Sequence, residues 1–392
     1  MTGGRLPLLT TGRVVVKVGS SSLASITDGV EVDKLRALVD VLAARRASGQ
    51  EIILVSSAAI AAGMAPLGLS RKPRDIPTAQ AAASVGQLVL MTHYAQAFGA
   101  HGQRIGQVLL TASDVARRSH YRNAQATMTR LLRLGVLPVV NENDTVATDE
   151  IRFGDNDRLA ALVAHLVHAD ALVLLSDVDA LYDGPPDRPG SQPVRYVADH
   201  AQLATIDIGP AGSAGVGTGG MAAKTQAATI ATASGIPTVL TSAQQVGEVF
   251  TDPGIGTWFA AAGKRKPTRL LWLAHAAEPQ GRLVLDDGAV AAVTQRGASL
   301  LPAGIVEVSG RFDWHDAVAL CDRDGRVVAR GLVAYSSAEL PHLIGRSTKD
   351  LAAEHGQRFG REVVHRDDLA LVEETMLRSS DRSRNSPSST AG

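Results

Sequence analysis

Short apolar runs recur through the first 240 or so residues, each closed by polar residues and separated from the next by a stretch of helical periodicity. Residues 13–19, 51–56, 104–110, 136–140 and 171–175 have the composition of strands, most of them buried. Between them, residues 33–47, 78–100, 121–134 and 157–168 read as helices, with Met128, Leu131, Leu132 and Leu134 of the third turned toward a core. Parallel neighbours need a crossover, and the crossover helix covers a face of the sheet. A chain that alternates in this way therefore predicts the α/β class, a mostly parallel sheet sandwiched by helices. Ligands of such sheets bind in the crevice beyond the carboxyl ends of the strands, so the polar residues closing each run are the candidates for a site.

Those residues are unevenly charged. Residues 141–161, directly after the fourth run, hold six carboxylates against two arginines and include Asn143-Asp144 and Asn156-Asp157. A solvated acidic loop is the bland reading; the paired Asn-Asp clusters at a strand end favour a surface that meets a cationic amine or a metal-bound phosphate. Lys17 interrupts the first run and precedes Gly19-Ser20. Either it snorkels out at a sheet edge or it points from the strand end into a site, and the Gly-Ser turn, whose N–H groups can meet an anion, favours the site. The second run ends at Ser56 and leads into Ser57 to Gly63, small residues opening a helix, where exposed N–H groups and serine hydroxyls suit a phosphate or carboxylate. Ser176 and Asp177 close the fifth run in the same manner.

Residues 215–220 formally contain Gly-x-Gly-x-x-Gly, but no strand precedes them and no acid lies near Thr241, so a dinucleotide fingerprint fails; the Walker pattern is absent too. What remains is a glycine loop feeding a helix with Lys224 in its first turn, an arrangement that opposes the helix dipole unless an anion lies between. Lysine is scarce, seven against thirty-two arginines, so its use inside these motifs reads as a choice of a compact point charge.

Composition excludes several classes. With 392 residues, 45 % apolar and 20 % charged, the chain is long enough for two or three domains, and no run is long enough to cross a bilayer. The first residues are too short in apolar character for a signal peptide, so a cytoplasmic protein is expected. Cys321 is a single cysteine and reads as a small core hydrophobe; the eleven histidines form no zinc-hydrolase pair. A formal net charge of zero argues against a protein that lives on nucleic-acid backbone.

Two lysines on glycine-containing turns, Asp and Asn side chains at strand ends, and no histidine or cysteine nucleophile together describe phosphoryl transfer, where positioning and charge neutralisation do most of the work. Lys17 and Lys224 would flank the transferring group, Asp157 or Asp155 would orient them, and magnesium would accompany nucleotide phosphates. An acceptor carboxylate is already an anionic nucleophile and needs no general base.

The basic segment 263–268 marks a boundary, and beyond it short strand patterns at 282–285, 305–308, 317–321, 327–329 and 332–334 predict a small β-rich domain. The expected organisation is an N-terminal extension (1–12), a kinase-like domain (13–263), a linker (264–281), the β-rich domain (282–375) and a low-complexity tail (376–392). From Lys264 onward there are eighteen basic and seventeen acidic residues, a net of +1, which gives RNA no electrostatic footprint.

Across residues 13–372 the motifs around Lys17, Ser56-Ser57, Asn141 to Asp144, Asp155 to Asp157, Ser176-Asp177 and Gly217 to Lys224 resemble the amino-acid-kinase family, and within it the glutamate 5-kinases. The C-terminal part is similar to a PUA domain. The resemblance implies ATP-dependent phosphorylation of the γ-carboxylate of L-glutamate, the first step of proline biosynthesis, with ATP and Mg2+ required. It implies that Ser57, Asp144 and Asn156 hold glutamate and that Lys17, Ser176, Asp177, Thr218, Gly219, Gly220, Met221, Ala222, Ala223 and Lys224 contact ATP. It also implies feedback by proline, with the sensing loop near residues 111–123, a homo-oligomer built through the kinase domain, and hand-off of the acyl phosphate to the next enzyme. Two positions depart from the family pattern: Ala58 and Ala180 stand where glycine is usual. The competing readings are an aspartate or N-acetylglutamate kinase, against which the C-terminal domain argues, and an RNA-binding PUA protein on a catalytically weakened kinase-like scaffold.

Overall fold

The computed structural model describes residues 8–25, 29–111, 114–115, 118–146, 156–185, 188–203, 206, 220–261, 273, 279–314 and 316–372. The chain divides into two compact units, 1–268 and 269–392.

In the first unit the main elements run β1 (Arg13–Val18), α1 (Val32–Ala47), β2 (Glu51–Ser56), α2 (Ala59–Met64), α3 (Ile76–Ala100), β3 (Arg104–Leu110), α4 (Arg118–Arg133), β4 (Val136–Glu142), α5 (Asn156–Leu166), β5 (Ala171–Ser176), β6 (Tyr196–Val197), α6 (Met221–Ala233), β7 (Thr238–Ser242) and β8 (Thr257–Phe259). Eight strands form one sheet in the order β6-β8-β7-β5-β1-β2-β4-β3. Every pairing from β7 across to β3 is parallel, and only β7 with β8 is antiparallel. Strand order reverses around β1, which has β2 on one side and β5 on the other. This switch point is where an open sheet parts its crossovers and leaves a crevice.

Strand side chains alternate between faces, and here both faces are covered. Val14, Val16 and Val18 of β1 share a core with Leu35, Leu38 and Leu42 of α1 and Leu90, Tyr94 and Phe98 of α3. Val15 and Lys17 therefore face the other way, on the side where α5 packs against β1 and α6. Helix α5 is buried from Leu159 through Leu166, as a helix between a sheet and another helix must be. Helices α2 and α3 cross closely at Gly63 and Gly86: a Cβ on Gly63 would lie 1.9 Å from the Ala82 carbonyl oxygen.

The second unit is a five-stranded sheet over its own core. Its elements are β9 (Gly281–Leu285), α7 (Asp287–Arg296), β10 (Ile305–Gly310), β11 (Ala317–Cys321), β12 (Val327–Leu332), α8 (Thr348–His355) and β13 (Leu369–Leu371), with strand order β10-β9-β11-β12-β13. Leu283, Leu320, Val328, Tyr335 and Val364 are among its buried residues, and Cys321 is a buried thiol beside them.

Several expectations need correction. Leu134 is 52 % exposed, because α4 ends at Arg133 and the chain turns away at Gly135; Leu131 and Leu132 are only half-buried. The two strands expected at 327–329 and 332–334 are one, Val327–Leu332, since Arg330 and Gly331 continue the ladder to β11 and β13. Strands β6, β7, β8 and β13 and helices α7 and α8 lie outside the patterns read from the sequence.

Candidate active site

The carboxyl ends of the parallel strands are polar in register: Ser56 on β2, Asn141 and Glu142 on β4, Ser176 on β5 and Ser242 on β7, with Ser176 beside Ser242. Lys17 lies one residue short of the end of β1, between Val55 and Leu174. A central strand offers a lysine no edge to snorkel past, and the Lys17 side chain is buried.

Its partner is Asp157. The Lys17 Nζ lies 2.5 Å from Asp157 Oδ1, and Lys224 Nζ lies 3.1 Å from Oδ2 of the same carboxylate. Two lysines 207 positions apart thus converge on one side chain that is 0 % exposed. Local structure explains the meeting. Asp157 is in the first turn of α5, where the helix dipole favours a carboxylate. Lys224 is in the first turn of α6, which packs on α5, and Arg158 ties the pair by donating Nε and Nη2 to Gln226 Oε1 at 2.9 and 2.6 Å. Burial alone would push the Asp157 carboxyl up, but Lys17 first and Lys224 next outweigh it and hold it below the usual carboxylate range. The three groups carry a net charge of +1, so the cluster is built to meet an anion.

Next to it, the Asn156 amide joins three elements. Its Nδ2 donates to Asn141 Oδ1 at 2.8 Å, to the Ser56 carbonyl at 3.2 Å and to Ser57 Oγ at 3.3 Å. Asn141 Oδ1 also accepts from the Glu142 N–H at 2.9 Å. Asn156 Oδ1 is buried with no hydrogen-bond partner among the described residues, a polar atom left for something else. Ser57 and Asn156 are therefore together; Asp144 is half-buried on the turn just beyond β4. Ser56 and Asn141 lie in this network although the motif reading gave neither a role of its own.

Ala58, between Ser57 and α2, has φ +77° and ψ 10°, a left-handed conformation that L residues rarely adopt. Its N–H finds no acceptor among the described residues. Ala180, the other departure from the family pattern, is buried and carries no positive φ.

On the opposite side, Ser176 donates its hydroxyl to Asp177 Oδ1 at 2.9 Å, and Asp177 is exposed. Gly220 caps α6 in an extended conformation, and Met221, Ala222 and Ala223 form the first turn that carries Lys224. Asp155, Thr218, Gly219 and part of the 111–123 segment lie outside the described residues. Within that segment, Thr111 donates its N–H and hydroxyl to Asp114 Oδ2, and His120 Nδ1 lies 2.8 Å from Asp114 Oδ1.

A model of the amino acid kinase family matches residues 12–242, and a PUA domain model matches residues 281–354. The glutamate 5-kinase of Streptomyces coelicolor is 59 % identical over 372 residues, spanning 95 % of this chain and 100 % of its own length. That of Cutibacterium acnes is 50 % identical over 389 residues, 99 % of each. Among solved structures, a carbamate kinase from Giardia lamblia bound to AMP-PNP covers 67 % of this chain and 100 % of its own at 16 % identity and a TM-score of 0.46.

Proposed function

Because the chain belongs to the amino acid kinase family, among the glutamate 5-kinases, and carries a PUA domain, we propose that it transfers the γ-phosphoryl group of ATP to the γ-carboxylate of L-glutamate. The observation that carries the reading is the pair of buried ammonium groups on the two oxygens of Asp157 at the carboxyl end of the central strand.

The reaction needs little from the protein beyond position and charge. A γ-carboxylate oxygen attacks the γ-phosphorus, the bond to the bridging oxygen breaks, and ADP leaves with that electron pair. Lys17 and Lys224 flank the migrating group and neutralise its oxygens; Asp157 keeps both ammonium groups aimed at one point before substrate arrives. Ser57, Asp144 and Asn156 hold glutamate, and the unpartnered Asn156 Oδ1 suits its α-ammonium group. Ser176, Asp177 and residues 218–224 receive the nucleotide. The central carboxylate is already taken by the two lysines. This donor set fits magnesium arriving on the nucleotide, where it would supply positive charge to the phosphate oxygens.

Proline biosynthesis is the setting we assign, with proline as a feedback inhibitor competing for the glutamate pocket, self-association through the kinase unit, and direct hand-off of the short-lived acyl phosphate. No helix among the described residues is long and apolar enough to cross a membrane, in keeping with a cytoplasmic enzyme. The assembled lysines and their carboxylate weigh against a catalytically weakened RNA-binding scaffold. ADP release should depend on glutamate and not on aspartate or N-acetylglutamate, and hydroxylamine should trap the product as a hydroxamate. Salt-sensitive RNA binding without glutamate-dependent turnover would reverse the assignment.

A further inference from the structure

Tyr94 is fully buried on the inner side of α3, in the core shared with Leu90 and Phe98. A tyrosine needed only for packing leaves its hydroxyl to be desolvated without return, so a buried phenol calls for a partner. The partner is Ser56: the two hydroxyl oxygens are 3.0 Å apart. Ser56 Oγ also lies 3.2 Å from the Ser57 carbonyl oxygen, to which it donates its single proton. Tyr94 is therefore the donor to Ser56. The chain continues on both sides of Ser56, for its carbonyl accepts from Asn156 Nδ2 at 3.2 Å while its hydroxyl fixes the Ser57 carbonyl. A trans peptide holds C=O and N–H on opposite sides, so fixing the Ser57 carbonyl also fixes the direction of the unpartnered Ala58 N–H.

We propose that the Tyr94 hydroxyl is a positioning group for the amino-acid substrate, acting through Ser56 to hold the Ser57-Ala58 peptide and the Asn156 amide in their binding arrangement. The proposal rests on the assignment of Ser57 and Asn156 to glutamate. It gives α3, which contributes no group to the phosphoryl-transfer cluster, a hydrogen-bonded line into the substrate pocket.

Tyr94→Phe keeps the ring and its packing and removes one hydrogen bond. Steady-state kinetics on the full chain should show the glutamate KM raised about fivefold, with kcat and the ATP KM within about twofold of the parent. Ser56→Ala should give the same split, and the double variant should be no worse than the more impaired single variant, because both changes break one line. A purely structural role would lower the melting temperature and leave both KM values at the parental level; that result, or additive effects in the double variant, overturns the proposal. If Tyr94→Phe does not fold, Ser56→Ala decides alone. A parent with no glutamate-dependent turnover refutes the functional assignment itself, whereas a turning-over parent with unchanged KM in the variants refutes only the role of Tyr94.

Discussion

Asp157→Asn isolates the central charge. The substitution keeps side-chain shape, removes the negative charge that bridges Lys17 and Lys224, and presents an amide NH2 to one of the two ammonium groups. Both lysines are buried, at 3 % and 7 % exposure, so neither gains much from solvent. Breaking a buried ion cluster by deleting one partner costs about 3–5 kcal/mol. Thermal melts should then fall by about 6–20 °C at neutral pH, using about 2–4 °C per kcal/mol for a unit of this size. The pH dependence follows from the depressed native pKa of Asp157. Its contribution is fully present above the unfolded carboxylate pKa of about 3.9 and is lost as pH falls through the lower folded value, so the gap between parent and variant should close only in that acid range. Saturating ATP should narrow the gap at neutral pH, because phosphate replaces the missing negative charge. Equal melting temperatures for variant and parent at pH 7 would refute the reasoning, since the lysines would then owe nothing to this carboxylate.

Lys224→Ala should abolish phosphoryl transfer with a smaller loss of glutamate binding, measured by single-turnover kinetics beside calorimetric titration; retained turnover would remove Lys224 from the chemistry. Asp144→Ala should raise the glutamate KM, and an unchanged KM would remove Asp144 from the substrate pocket. Ala58→Gly should stabilise the protein by about 0.5–1 kcal/mol, because relief of about 1–2 kcal/mol of left-handed strain exceeds the about 0.5–1 kcal/mol that glycine loses in chain entropy. A lower melting temperature would show that the turn is unstrained with alanine.

Much of the first unit was legible because parallel strands buried on both faces must be nearly continuous apolar runs, as 51–56 of β2 is; 104–110 coincides with β3, the edge strand, where only Leu110 is fully buried. Strand β7 escaped because Thr238, Thr241 and Ser242 break the apolar run, yet all are buried and Thr241 finds Gln245 Oε1 at 2.8 Å. Helix α3 begins two residues earlier than expected, since Asp75 caps it through the Thr78 N–H and Pro77 fits the first turn. In the site, charge logic pointed to Asp157, but a carboxylate serving both lysines is a three-dimensional fact that spacing along the chain does not contain. Tyr94 was invisible for a plainer reason: a tyrosine in an apolar helix reads as core, and only the position of its hydroxyl beside Ser56 says otherwise.

The charge balance of the cluster explains why it is worth keeping. A buried ion group is seldom the most stable way to fill a core, and two ammonium groups on one carboxylate are worse than a matched pair, because one positive charge is left over. The N-terminus of α5 adds its own partial positive charge beside Asp157. A core selected for stability alone would not concentrate charge of one sign in this way, whereas a cradle for an anion must. Asp157 holds the surplus at the smallest value that still keeps both lysines charged and aimed. An incoming phosphoryl group then completes the neutralisation without rearranging the side chains that surround it, which is where preorganised charge lowers a barrier. On this argument stability and turnover pull apart at this site. Replacing the whole trio by well-packed apolar residues should raise the melting temperature while eliminating transfer, and a trio whose removal only destabilised the fold would be ordinary structure.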